Sequence, residues 1–320
     1  MIEFPQKFYA NFRAVNFIDL IINFEKLKGV YVFRGQSDEK MELKSTFEKE
    51  VEKVGLNPKD YRNLEKTIIT EFKRRAHHYL SILPDKSAEL EWVALMRHYG
   101  CPTRLVDLTR SFLVALFFSV EKAVSDSAIW AISRTFYEGS SPIEGCLNST
   151  YVEDKENKAN EILTKQTEKE SDATDEEPGV IFVEPHKMNE RISNQLGLFL
   201  FQKRLDLSFE ENLCAPFKKK SFKELEAING TPAIIKIIIP YDFHEVINYL
   251  LLTMNITAAT LFPGLDGFAR SQRMRIKCAK YGKTNFLKWW IEQLIERRDD
   301  LDTLADYIKL SSTQHTTLYQ

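Results

Sequence analysis

The sequence predicts an α+β fold: a mixed central β-sheet, one buried apolar helix and flanking helices. Three observations lead there. Short runs of β-branched and aromatic residues, each bounded by polar or turn-forming ones, recur along the chain. Segments of helical and strand period follow one another irregularly rather than alternating as a doubly wound sheet requires. The stretch Ser111–Val124 is apolar on nearly all sides, which places a helix inside the fold.

In chain order, residues 12–28 carry apolar positions at helical spacing and stop at Gly29. Val30 to Phe33 then read as a short buried strand that delivers Arg34, with Gly35 behind it to let the backbone turn. A long charged helix is predicted over 59–83, ended by Pro84, and a second over 86–97. Further strands are predicted at Ala128–Ser133, Gly179–Val183, Leu198–Phe201 and Ala233–Ile239. Residues 151–179 are strongly acidic with almost nothing to bury, so they read as a solvated insertion. Phe286, Leu287, Trp290, Ile291, Leu294 and Ile295 share one face of a C-terminal helix, a face for the core or for a protein partner. The expected organisation is one α+β domain over 1–283, carrying the insertion at 151–179, and a helical extension over 284–320.

With 44 basic and 46 acidic residues, the net charge of -2 gives no overall attraction to phosphate. Nucleic acid is a candidate partner only through the local tracts at Lys73–Arg75, Lys218–Lys220 and Arg270–Lys283, with Phe217, Phe222 and Phe268 interleaved; the alternative is a solvated face. The start of the chain lacks the basic flank and apolar stretch of a secretory signal. The longest apolar runs fall far short of the roughly 20 residues that span a bilayer. A cytoplasmic protein that does not enter the membrane is expected. The four scattered cysteines show neither a disulfide pattern nor zinc-ligand spacing, so reduced thiols and no metal are expected.

The densest chemistry is His-Tyr-Gly-Cys-Pro-Thr-Arg-Leu-Val-Asp-Leu-Thr-Arg-Ser, residues 98–111, read as a polar turn running into the buried helix. A helix start leaves about four N–H groups unpaired, so Thr109 and Ser111 as caps, with Arg104 and Arg110 beside them, suit a phosphate or pyrophosphate. The alternative is that Arg104 pairs with Asp107 and the cluster only shapes the turn. Arg34 carries the same choice between bidentate anion recognition and an ion pair with Asp107. Gly35, followed by Gln36, would let the backbone approach a ligand. His98 suits general acid or base work, or is a packed histidine. Asp266, in Phe-Pro-Gly-Leu-Asp-Gly, is either a functional carboxylate or a turn residue. Gln195, with Arg191, precedes the Gly197–Phe201 strand and could face the same cavity.

Phe33-Arg34-Gly35, Leu43-Lys44-Ser45, His98-Tyr99-Gly100 and Pro102-Thr103-Arg104-Leu105-Val106-Asp107 with the apolar helix resemble the FRG domain family of mostly bacterial proteins. Asn189 to Phe199 and Thr260 to Gly267 are similar to that family's later blocks, so the resemblance spans about 29–270. It implies a bacterial or phage context of toxin or antiviral defence proteins. Arg34 at a strand end also resembles the first-strand arginine of ADP-ribosyltransferases, which implies NAD as the ligand. That chemistry needs a cationic grip, a ring platform and a carboxylate for the oxocarbenium-like state. The candidates are Arg34; Tyr99 or Phe199; and Asp266 or Asp107. The chain shows no clear Ser-Thr-Ser strand and no clear Glu-x-Glu or Gln-x-Glu turn of the kind those enzymes carry.

Two readings follow. In the first, an effector binds a nucleotide or NAD and cleaves it or transfers ADP-ribose. Arg34, Asp107, Asp266 and His98 are then catalytic, and Gly35, Gln36, Tyr99, Arg104, Thr109, Ser111 and Gln195 bind the ligand. In the second, the same residues form a non-catalytic module for a nucleotide, phosphate or nucleic acid.

Overall fold

The computed structural model describes residues 10–13, 31–138, 149–168, 176–185, 190–219 and 233–279. Most of the helix expected over 12–28, and all of the extension over 284–320, lie outside them; the part of the former that is described, up to Arg13, belongs to a strand. The elements are β1 (Ala10–Arg13), β2 (Tyr31–Gln36), α1 (Thr46–Val54), α2 (Tyr61–Ala76), α3 (Glu89–His98), β3 (Leu105–Thr109), α4 (Phe112–Val120) and β4 (Ser127–Ser133). They continue with α5 (Arg134–Glu138), α6 (Ser149–Glu168), β5 (Val180–Val183), α7 (Glu190–Asn194), β6 (Gly197–Gln202), α8 (Phe209–Cys214), β7 (Ile234–Ile239), α9 (His244–Thr253), α10 (Ala258–Leu261) and α11 (Leu265–Cys278).

The fold is α+β, built on one seven-stranded sheet of order β1-β7-β4-β2-β3-β6-β5. The sheet is mixed: β1 runs parallel to β7, and the other neighbours are antiparallel. The expected strands at 128–133, 179–183, 198–201 and 233–239 are present within one or two residues. The helix expected to reach Leu83 ends at Ala76, before the run His77-His78-Tyr79.

Two predictions need correction. Leu105–Thr109 is a strand in the sheet rather than part of a turn, since Leu105, Val106 and Leu108 have buried neighbours on both sheet faces to pack against. The acidic stretch is not wholly solvated: α6 buries Ala159, Ile162 and Leu163, spaced i, i+3 and i+4, against Ile181, Val183 and the helices α2 and α3. Three apolar residues on one stripe suffice to seat a helix whose other faces are charged.

Register places Tyr31, Phe33, Asp107, Thr109, Phe199 and Phe201 on one sheet face. Two apolar clusters cover it. Around Phe33, Ile129 and Ile237 pack α4, α9, α10 and α11. Around Leu105, Phe199 and Phe201 pack α2, α3 and α6. Asp107 and Thr109 fall between the two clusters. Here β2 and β3 share one register pair, Phe33 opposite Thr109, whereas β2 and β4 pair along all of β2. The sheet therefore splits at the residue that follows Phe33, Arg34.

Helix α1 is anchored on the far side of this split. Ser45 caps it by accepting from the Glu48 N–H, and Thr46 Oγ1 accepts from Thr103 N at 3.1 Å. Buried Glu48 accepts the N–H of Phe209, at the start of α8, at 3.1 and 3.2 Å. Burial pushes its carboxyl up to about 7, with the Phe209 N–H pulling the other way. Because the folded value lies above the unfolded one, the contribution is complete in acid and disappears as pH rises through about 7. Glu48→Gln is accordingly expected to match the wild type near pH 4, below the unfolded value, and to be about 2 kcal/mol more stable at pH 8. Urea unfolding at the two pH values measures this; an equal effect at both would refute the assignment.

Candidate functional site

The split between β2 and β3 opens into a cleft of about 390 Å³. Its floor holds Arg34, Asp107 and Thr109, and α1 contributes Lys49, α3 Arg97 and His98, and α7 Arg191. Phe33, Met41, Phe118 and Phe199 supply the apolar lining. This volume lies within the range of small-molecule sites, roughly 300–1,000 Å³.

Asp107 organises the floor. Arg97 reaches both its carboxylate oxygens, through Nε at 3.1 and 3.0 Å and through Nη2, and sends Nη1 to Thr46 Oγ1 at 3.0 Å. Arg34 Nη1 donates to the Asp107 carbonyl at 2.8 Å and lies 3.6 Å from its carboxylate. That bond stands in for the ladder pairing that β2 and β3 lack beyond Phe33. The Asp107 side chain keeps 45% of its surface accessible and lines the cleft, although Arg97 engages both of its carboxylate oxygens. Burial would raise its carboxyl, but Arg97, Arg34 and Arg191 together hold it below the ordinary carboxylate range.

The cations outnumber this one acid by four to one. Lys49 is half-buried, and burial with Arg34 and Arg97 pulls its ammonium down. Burial does the same to Arg191, whose other charged neighbours are Asp107, Arg97 and Arg270. The side chains of Lys49 and Arg191 engage no hydrogen-bond or ion-pair partner among the described residues. Two further buried donor or acceptor atoms are unsatisfied here, Arg34 Nε and His98 Nδ1. Burial, and then the positive charge of Arg191, lower the His98 pKa, so its imidazole is neutral at neutral pH.

Of the residues expected at the site, Arg34, Gly35, Gln36, His98, Asp107, Thr109 and Gln195 line the cleft. Several serve the fold there. Gln36 is occupied by Trp130 Nε1 at 2.7 Å and by the Glu42 carbonyl at 3.1 Å. Thr109 Oγ1 donates to the Gln195 carbonyl at 2.7 Å and accepts from Ser111 N at 3.0 Å. Gln195 Nε2 donates to the Leu261 carbonyl at 3.0 Å. A Cβ on Gly35 would lie 2.0 Å from the Ala115 carbonyl oxygen, so this glycine admits α4 and not a ligand.

Four of the expected residues lie outside the cleft lining. Arg104 is completely buried on Glu65, with Nε 2.8 Å from its Oε1, and stacks on Phe201 at 5.0 Å. Ser111 is the α4 cap, its Oγ accepting from Val114 N at 3.3 Å, and is not in the lining. Tyr99 is exposed outside the lining and touches His98 edge-on at 4.8 Å. Asp266 is exposed in the first turn of α11, where a carboxylate complements the helix start, and it too is outside the lining.

Sequence reasoning passed over Lys49 and Arg97. The only available signal was their place on helices that flank the Phe-Arg-Gly strand. Among the described residues no group of three or more His, Cys, Asp or Glu could hold a metal, and no helix is long and apolar enough to cross a membrane. The tract at Lys73–Arg75 is locally compensated: Lys73 pairs with Glu89, and Arg74 and Arg75 with Glu71.

No curated protein and no solved structure matches the chain significantly. Residues 29–128 match the family model described as FRG domain. The match contains Arg34, Lys49, Arg97, His98 and Asp107, and stops short of the similar blocks at 189–199 and 260–267. Residues 29–128, which carry the floor of the cleft and most of its charge, are the part of the chain that the FRG domain model matches.

Proposed function

We propose that the cleft binds the phosphate groups of a nucleotide, with NAD within its range. The observation that carries this is a pair of cations, Lys49 and Arg191, whose side chains have no hydrogen-bond or ion-pair partner among the described residues, beside the unsatisfied Arg34 Nε. Unpaired positive charge held partly out of water costs stability unless an anion completes it. The apolar lining of Phe33, Phe118 and Phe199 offers ring surfaces for the uncharged part of such a ligand.

Binding is placed ahead of NAD cleavage or ADP-ribose transfer. Asp107 is the only acid in the lining among the described residues, and two guanidinium groups already hold it. An oxocarbenium-like centre would need a carboxylate free to face it.

Titration calorimetry with ADP, NAD and inorganic phosphate at low and high salt tests the reading. Lys49→Met and Arg191→Met are each expected to weaken ADP about tenfold or more, the worth of one charge-assisted hydrogen bond. Both should leave the unfolding temperature unchanged or raised, because each removes a cation repelled by its neighbours. Nicotinamide release from NAD is expected to stay at background. Absence of binding to all three probes, or variants that bind like wild type, would sink the proposal.

A further inference from the structure

We infer that Phe262 is the positioning residue for Arg191, so that the helical block after β7 completes the anion site. The inference rests on reading the cleft as such a site. The Arg191 guanidinium carbon lies over the Phe262 ring, 4.6 Å from its centroid, and that of Arg270 lies 4.2 Å from the same centroid. The two arginines differ in what else holds them. Arg270 is tied to the Glu121 carboxylate at the end of α4 through Nε and Nη2. Arg191 has the ring and, among the described residues, no carboxylate pair.

A guanidinium bound to a carboxylate spends its N–H edge on that partner. One held over a ring keeps its five donors for something else. Stacking therefore fixes Arg191 at the cleft while leaving it able to grip a ligand, which an ion pair would prevent.

The ring itself is braced. Phe118, whose side chain lines the cleft, meets it edge-on at 6.0 Å. The Phe262 N–H donates to the Ala258 carbonyl at 2.9 Å, and the preceding Leu261 carbonyl accepts from Gln195, just past the end of α7. Gly267 lets α11 close over the Phe262 carbonyl, which a Cβ there would approach to 1.8 Å. Arg270 adds a like charge that repels Arg191, while Asp107 attracts it.

The test is a double-mutant cycle on the full chain, with ADP as the probe and affinity read by calorimetry. Phe262→Leu and Arg191→Met are each expected to weaken ADP about tenfold. The double variant should bind no worse than Arg191→Met alone, and Phe262→Trp should bind like wild type. A Phe262 that merely packs the wall would give additive losses, and such losses, or wild-type affinity in Phe262→Leu, overturn the inference. If Phe262→Leu fails to fold, Phe262→Met takes its place with the same expected loss. Wild-type protein that does not bind ADP overturns the reading of the cleft as well; wild-type binding with an indifferent Phe262 overturns only this step.

Discussion

Arg104→Met is expected to lower the unfolding free energy by about 3–5 kcal/mol and to leave the affinity of the folded fraction for ADP unchanged. Arg104 has no accessible surface, and Glu65 on α2 is almost as buried. The Arg104 guanidinium closes on both Glu65 carboxylate oxygens, donates to the Gln202 carbonyl at 3.2 Å and stacks on Phe201. Removing it strands a carboxylate in a core where desolvation is uncompensated. Methionine fills the volume, so the loss measured is that of the charge rather than of a cavity. The cycle closes with Glu65→Gln/Arg104→Met, which should recover most of the loss, because a neutral pair has no charge to strand. Denaturant unfolding of the three variants gives the numbers. A stable Arg104→Met that had lost ADP binding would return Arg104 to the site.

This arginine also shows why the site was only partly legible in the sequence. Arg104 and Asp107 stand three apart in a polar motif, and a turn would bring them together. The intervening Leu105 and Val106 instead enter a strand, which spreads three residues over roughly 10 Å. Asp107 lands at the split in the sheet and Arg104 in the core, against Glu65 of α2 and the Phe201 ring. The strands themselves were readable because runs such as Ala128–Ser133 and Ile234–Ile239 leave no helical alternative. Lys49 was not, since a lysine one turn into an amphipathic helix reads like any solvated residue. Only the anchoring of α1 at Thr103 brings it to Arg34. Asp266 misled for the converse reason. Its two flanking glycines suggest a ligand loop, yet Gly264 adopts a left-handed φ of 101° before α11, and Gly267 is in close contact with backbone.

Gly35→Ala is expected to cost at least about 3 kcal/mol, at the upper end of what overpacking costs. The glycine shares a sheet face with Tyr31 and Phe33, and there its absent side chain meets the backbone of α4: a Cβ would stand 2.0 Å from the Ala115 oxygen and 2.7 Å from Ser119 N. Neither contact is the end of a flexible side chain that could swing aside. The helix would have to retreat by about 1 Å, and α4 is fixed by Phe112, Leu116, Phe117 and Val120 in a core that deforms little. Gly100 is the control: its φ of 83° strains any side chain, but its Cβ would meet nothing within 4 Å, so Gly100→Ala is expected to cost about 1 kcal/mol. Urea unfolding of the two variants separates close packing from backbone strain; equal losses would refute the packing account. The retreat of α4 would also carry Phe118 and Glu121 outward, and with them the brace on Phe262 and the partner of Arg270. Three adjacent residues therefore answer to three demands: Phe33 packs the core, Arg34 bridges the split in the sheet, and Gly35 sets how closely α4 can approach it.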